Sequence, residues 1–229
     1  MHVTVISTGN AAPTKERCIK SVKAQQRVEV DHKYIEASEQ APPRTRLENV
    51  IRACCALPPE EIVAWIDGDD WLASEHALAR IAEDHRRGAW ATYGTYIRED
   101  GQWGHAAPVV GDPRKAPWTA SHLKTFRAGL VHRLRVRDFM PAGQWATDLA
   151  PDVAIMIPVL EMAAERAVFV PELLYVYSYA TSWESKASEH EKQLEKTSEA
   201  HWRASDPYGR VDNISDACSD ASMKVWATT

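Results

Sequence analysis

The chain of 229 residues is 45% hydrophobic and 26% charged, with a formal net charge of −5. That balance excludes a disordered chain, allows one large domain with or without a helical appendage, and argues against wholesale nucleic-acid binding. No run of about 18 apolar residues is available to span a membrane, and Cys18, Cys54, Cys55 and Cys218 lack the spacing of a zinc site or a disulfide framework.

The opening Met1 to Ser7 carries no basic leader and reads as a first strand, which gives a cytoplasmic expectation. Val3 to Ile6 is β-branched, the polar Ser7-Thr8-Gly9-Asn10 ends it, and Glu16 to Gln26 follows with helical spacing. Val28 to Ile35 is a second strand, Pro42-Pro43 breaks the chain, and Arg46 to Ala56 is helical again. After Pro58-Pro59, Glu61 to Ile66 is nearly all apolar, as expected of a central strand covered on both faces. It ends in Asp67-Gly68-Asp69-Asp70. Ser74 to His85 is helical with Ser74 as N-cap, and Trp90 to Val110 suggests short strands around an Asp100-Gly101 hairpin. Val153 to Ala164 is an apolar helix with Pro158 as an expected kink, Val168 to Tyr179 a late strand, and Glu184 to Arg203 a charged helix. A polar tail completes the chain. Strands alternating with helices at this spacing argue for an open, largely parallel α/β sheet whose ligand crevice lies beyond the carboxyl ends of the strands.

Asp67 and Asp69, two apart on a turn leaving a buried strand, can converge on one point. Hard oxygen ligands of this kind suit magnesium or manganese, with a diphosphate supplying further oxygens. Gly68 between them lets the backbone approach a ligand closely. An ordinary Asp/Gly turn is the alternative.

Two segments bear on that choice. Asn10-Ala11, Glu16-Arg17-Cys18-Ile19, Ser21-Val22 and Gln25 resemble the first loop and helix of glycosyltransferase family 2, and Ala64-Trp65-Ile66-Asp67-Gly68-Asp69-Asp70-Trp71-Leu72 resembles its DxDD segment. The resemblance implies a GT-A fold, that is a Rossmann-like, mostly parallel open sheet flanked by helices, with a C-terminal helical extension. Residues 1–180 would form the catalytic domain, with a nucleotide-sugar half at 1–100 and an acceptor half at 101–180. Residues 181–210 would be the C-terminal helix and 211–229 the tail. It also implies an inverting mechanism, a UDP-type donor and a divalent cation, manganese or magnesium. Asp67 would then touch the ribose or the ion, Asp69 would ligate the metal, and Asp70 would brace the turn. Ser7, Thr8, Gly9 and Asn10 would line the nucleotide pocket, and Glu36 would contact base or ribose unless it is a surface acid. His190, late in the chain, is the histidine that would complete the metal site, unless it is a solvated residue of its charged helical run.

An inverting transfer needs a carboxylate to take the acceptor's hydroxyl proton. Gly143 to Asp152 resembles the family's acceptor segment, which implies Asp152 as base, with Asp148 as the alternative and N-capping as Asp152's structural role. Trp71 and Trp145 flank these acids and could stack on a sugar. Ser121-His122-Leu123-Lys124-Thr125-Phe126-Arg127 resembles a segment of a subgroup, and implies acceptor contacts from His122, Lys124 and Arg127. It lies in Arg114 to Arg137, which holds seven Lys/Arg and no acid, either a balancing basic surface or a patch for an anion such as DNA. His201-Trp202-Arg203 and Pro207-Tyr208 extend the resemblance, which includes compact bacterial and phage members, some acting on DNA bases. The acceptor could thus be a glycan, a small molecule or DNA. Nucleotidyl transfer, hinted at only by Lys15 and Arg17, and a non-catalytic nucleotide or nucleic-acid binding module are the competing readings.

Overall fold

The computed structural model describes residues 1–9, 14–36, 45–140, 149–219 and 221–228. Alternation builds the first half: β1 (His2–Gly9), α1 (Lys15–Lys23), β2 (Glu29–Glu36), α2 (Arg46–Cys55) and β3 (Ile62–Asp67). β1 lies between β2 and β3, parallel to both. There follow β4 (Trp71–Leu72), α3 (Ala77–Arg86), β5 (Ala91–Arg98), β6 (Ser121–Arg127), α4 (Ala128–His132), α5 (Val136–Phe139), α6 (Pro151–Ala163), β7 (Ala167–Tyr177), α7 (Trp183–Lys186), α8 (Glu189–Ala204) and α9 (Met223–Thr228). The sheet has seven strands in the order β2-β1-β3-β6-β5-β7-β4. β6 runs antiparallel to both β3 and β5, whereas β5 and β7 are parallel.

The apolar run of β3 is buried on both faces, as its sequence requires. Ile62, Ala64 and Ile66 join Val3 and Val5 in a core against α1 and α3. Val63 and Trp65 join Ile6 in the opposite core, against α2, α4 and α6. This is a helix, sheet, helix sandwich, and burying both faces of the central strands is what holds it together. Thr45 caps α2 by accepting from the Glu48 amide at 3.0 Å.

Several local expectations are corrected. Ser74 does not cap α3: the helix starts at Ala77 behind His76, and Ser74 accepts from the His76 amide at 3.3 Å in a tight turn. Asp100-Gly101 does make a turn, with Gly101 at φ 87°, but the returning strand is a single bridge from Ile97 to Trp103. The charged helix is two, because Ser188 opens α8 with a full capping box to Glu191. β6, read as part of a basic surface, is an interior strand. The polar tail also packs: Ile214 and Met223 are buried, and Arg133 holds the carbonyls of Asn213, Ile214 and Asp216. Pro158 sits inside α6 as expected.

Candidate active site

The acid turn begins where β3 ends. Thr8 of β1 pairs with Asp67, and the Gly68 amide donates to the Thr8 carbonyl at 2.9 Å, so the turn is held against β1. Gly68 leaves little room for a side chain there, its Cβ position being 3.1 Å from the Thr8 carbonyl. A Cβ would lie 2.5 Å from the Tyr34 hydroxyl, which itself donates to the Gly68 carbonyl at 3.1 Å. From the other side β7 reaches in. The Tyr175 hydroxyl donates to Asp70 Oδ2 at 2.7 Å and accepts the Asp67 amide at 3.1 Å, and the Ser178 amide donates to Asp70 Oδ1 at 2.7 Å. Thr181 Oγ1 donates to Asp69 Oδ2 at 3.0 Å. Asp70 therefore has the bracing role expected of it, supplied by residues more than 100 positions away.

Crowding leaves its mark on the acids. Burial, then the neighbouring Asp67, raises the Asp69 carboxyl above the ordinary range. Burial, then Asp67 and Asp69, raises that of Asp70 well above it. Asp67, Asp70 and His122 each offer a ligating atom, all within 4.8 Å of one another. His122 is 6% exposed, stacks on Tyr175 with ring centroids 4.4 Å apart, and its Nδ1 has no hydrogen-bond partner among the described residues. Burial, then the charge of Lys124, depresses its pKa to about 4, so the ring is neutral and able to ligate. Hard oxygens, a neutral imidazole and a surplus of buried negative charge suit a divalent cation. The histidine of this cluster is His122 and not His190, which is exposed in the first turn of α8.

Asp152 approaches from α6. It is not the N-cap; Ala150 holds that position in the left-handed region, Pro151 starts the helix, and Asp152 lies in the first turn, near the positive end of the helix dipole. Its Oδ1 accepts from Lys124 Nζ at 2.6 Å. Burial alone would raise this carboxyl, but the charge and hydrogen bond of Lys124 outweigh that and bring it to about 2. Lys124 is fully buried on β6, its ammonium 4.4 Å from the Trp65 ring centroid.

Asp67, Asp69, His122 and Asp152 all line one cleft of ≈ 620 Å³. Arg46, at the start of α2, lines it too and lies 3.4 Å from Asp67 Oδ1. Volume and polarity suit a nucleotide-sized ligand.

Other expected site residues fall elsewhere. Ser7 is fully buried against His32 Nε2 at 3.0 Å and Cys18 Sγ at 3.5 Å, which removes it from any pocket wall. Thr8 is buried, with an unpartnered Oγ1 among the described residues, and Gly9 packs on Gly68 and Tyr34. Glu36 is a buried acid opposite Gly9, paired with Lys15, so the surface-acid alternative fails. Trp71 carries Arg17 over its ring at 4.3 Å and does not line the cleft. Arg127 is at the wrong end of the sheet: it pairs with Ile62, where β3 begins, and donates to the carbonyls of Glu60 and His85. Asn10, Trp145 and Asp148 lie outside the described residues.

The basic segment is likewise turned inward. Arg114 is 7% exposed at its side chain and forks onto Glu161 at 2.5 and 2.9 Å, while Arg133 and Arg135 hold backbone carbonyls of the tail. Lys124 and Arg127 of β6 are answered by Asp152 and by carbonyls, and the two exposed cations, Lys115 and Arg137, sit beside acids, so the segment presents no continuous run of free cations.

No protein-family model matches the chain, and no curated protein sequence does. Solved structures do. TarS from S. aureus superposes with a TM-score of 0.54 at 16% identity, over 78% of this chain and 37% of TarS. TarS 1–349 in complex with UDP-GlcNAc gives 0.55 at 14% identity, over 82% of this chain and 61% of that one. The fold is GT-A-like. The mannosyltransferase PcManGT from Pyrobaculum calidifontis, in complex with GDP-Man and Mn2+, gives 0.51 at 15% identity, over 87% of this chain and 69% of that one. This chain thus spans less than two thirds of the length of either TarS structure. No helix among the described residues is long and apolar enough to cross a membrane.

Proposed function

We propose that the chain is a metal-dependent, inverting glycosyltransferase that moves a sugar from a nucleoside-diphosphate donor, a UDP-sugar by preference, to an acceptor hydroxyl. One observation carries this reading: the Asp67-Gly68-Asp69 turn and Asp152, 85 positions apart in sequence, face the same cleft. The GT-A-like fold supports it, as do the nucleotide sugars named with TarS and PcManGT.

In this scheme the acceptor oxygen bonds to the anomeric carbon as the bond from that carbon to the diphosphate oxygen breaks. Asp152 takes the acceptor's proton. Lys124 keeps Asp152 ionised and fixes its direction, and the first turn of α6 supports the same charge. Arg46 is placed for the diphosphate. Asp67, Asp69 and Asp70, with His122, would hold a manganese or magnesium ion, which when bound supplies Lewis-acid neutralisation of the leaving diphosphate. Asp148 stays the alternative base. Nucleotidyl transfer loses its one hint, because Lys15 is paired with Glu36 and Arg17 lies over Trp71.

The test is a thermal-shift panel of nucleoside diphosphates with and without manganese, followed by a transfer assay on Asp152→Asn. Stabilisation by a diphosphate that needs the metal is expected, since a ligand binding only the native state raises stability by mass action. Asp152→Asn should keep that response and lose transfer. Full turnover by the variant would move the base to Asp148.

A further inference from the structure

The wall of the cleft facing Asp152 is made by the C-terminal helices. Trp183 of α7 is 36% exposed and lines the cleft beside Tyr179. Glu184, Glu189, Glu195 and Glu199 line it from α7 and α8 beside two lysines, Lys192 and Lys196; with Asp67, Asp69 and Asp152, seven carboxylates line the cleft against these lysines and Arg46. Glu189 is paired with Lys192 at 3.0 Å and Glu199 with Arg203 at 2.8 Å. Glu184 and Glu195 have no ion-pair partner among the described residues. Burial, then Glu199, Glu184 and Asp152, raises the Glu195 carboxyl, the direction expected where like charges converge on a confined space. His122 lines the same cleft with its unpartnered Nδ1.

We infer that α7 and α8 form the acceptor subsite, and that its ligand is an uncharged, hydroxyl-rich sugar stacked on Trp183, with polyanions excluded. An indole face presents an apolar plane to the C–H face of a sugar ring, and unpaired carboxylates accept from its hydroxyls at no electrostatic penalty. A phosphate backbone entering the same wall would meet a surplus of negative charge, with only Lys192 and Lys196 to replace its counterions. Of the basic residues between Arg114 and Arg137, Arg114 and Lys124 are paired with buried or cleft acids, and the exposed Lys115 and Arg137 are paired with Asp112 and Asp206. This inference rests on the glycosyl-transfer reading and identifies the class of its acceptor.

The experiment uses the full chain with manganese and UDP, titrated with chitotetraose, maltotetraose and cellotetraose, and separately with single-stranded DNA and polyphosphate at physiological salt. Binding is read by tryptophan fluorescence and saturation-transfer NMR. At least one neutral tetrasaccharide should bind, and Trp183→Ala should weaken it roughly tenfold, the scale of one lost stacking contact. The polyanions should not bind the wild type, whereas Glu184→Lys/Glu195→Lys should admit them. Thermal melts of both variants check that they fold, and an exposed Trp183 makes that outcome expected. Binding of either polyanion more tightly than every tetrasaccharide, no tetrasaccharide binding at all, or a tetrasaccharide affinity unchanged in Trp183→Ala, would overturn the inference. The UDP and manganese response, recorded in parallel, separates this from failure of the transfer reading: loss of that response sinks transfer itself, whatever the sugars do.

Discussion

The hydroxyl of Tyr175 lies 2.7 Å from Asp70 Oδ2 and 3.1 Å from the Asp67 amide, so a single phenol on β7 ties together both ends of the acid turn. It is fully buried, and burial together with the Asp70 charge pushes its pKa well above the usual value, which keeps the proton on the donor. Tyr175→Phe should cost about 2 kcal/mol, as for a hydrogen bond to a buried carboxylate, and weaken manganese-dependent diphosphate binding by roughly tenfold. Urea denaturation and calorimetric titration measure the two effects. An unchanged diphosphate affinity would show the turn to be fixed without the phenol.

Gly68→Ala places a methyl 2.5 Å from the Tyr34 hydroxyl and 3.1 Å from the Thr8 carbonyl. Tyr34 can swing, but the β1 backbone cannot, so the turn must shift away. A loss of about 1–3 kcal/mol is expected, as for overpacking elsewhere, together with loss of the metal response. Equilibrium unfolding checks the first and thermal shift the second.

Asp69→Asn removes a carboxylate raised by burial and by Asp67. Without metal the variant should melt higher than the wild type, because one crowded negative charge is gone and Thr181 can still donate to the remaining oxygen. With manganese and a diphosphate the order should reverse. If both melt alike under both conditions, Asp69 takes no part in holding the ion.

Lys124→Met leaves Asp152 without its partner and replaces a charge by an apolar chain over Trp65. Asp152 keeps 32% of its side chain exposed in the cleft, so the cost stays below the ~3 kcal/mol of a fully buried pair. The Asp152 carboxyl should also rise from about 2 toward the ordinary range, moving the acid limb of the transfer rate upward in pH. A pH profile separates that effect from simple instability.

Four histidines, His32, His85, His122 and His132, are held neutral by burial and together set the acid limit of the fold; His85 and His132 lie away from the cleft and give the cleanest test. Burial, then Arg127, depresses the His85 pKa to about 3, and burial depresses that of His132 to about 4. Both rings are neutral in the fold and protonate readily once unfolded. Their stabilisation is complete above the unfolded value near 6.5 and is lost as pH falls from there toward the folded values. Stability should drop by up to about 1.4 kcal/mol per pH unit per histidine below pH 6. His85→Gln should flatten that slope by one histidine's share. Denaturant titrations between pH 7.5 and 4.5 give the slopes directly.

What sequence by itself determined was whatever is written locally. The β-branched run of Val3 to Ile6 and the unbroken apolar run of Ile62 to Ile66 could only be strands buried on one or both faces. The acids after Ile66 had to emerge where that covered strand ends. Asp152 before an apolar run had to sit near a helix start. Tertiary structure decided the rest, because a charge buried inside a protein is defined by its partner and not by its neighbours in sequence. Lys124 read as surface until Asp152, 28 residues on, neutralised it across β6 and α6. His122, expected at the acceptor, joined the acid cluster only when β6 set it beside Asp67 and Asp70, whereas His190, better placed in sequence order, stayed in solvent on α8. Periodicity reports which face of an element is covered; only the folded sheet reports which distant residue does the covering.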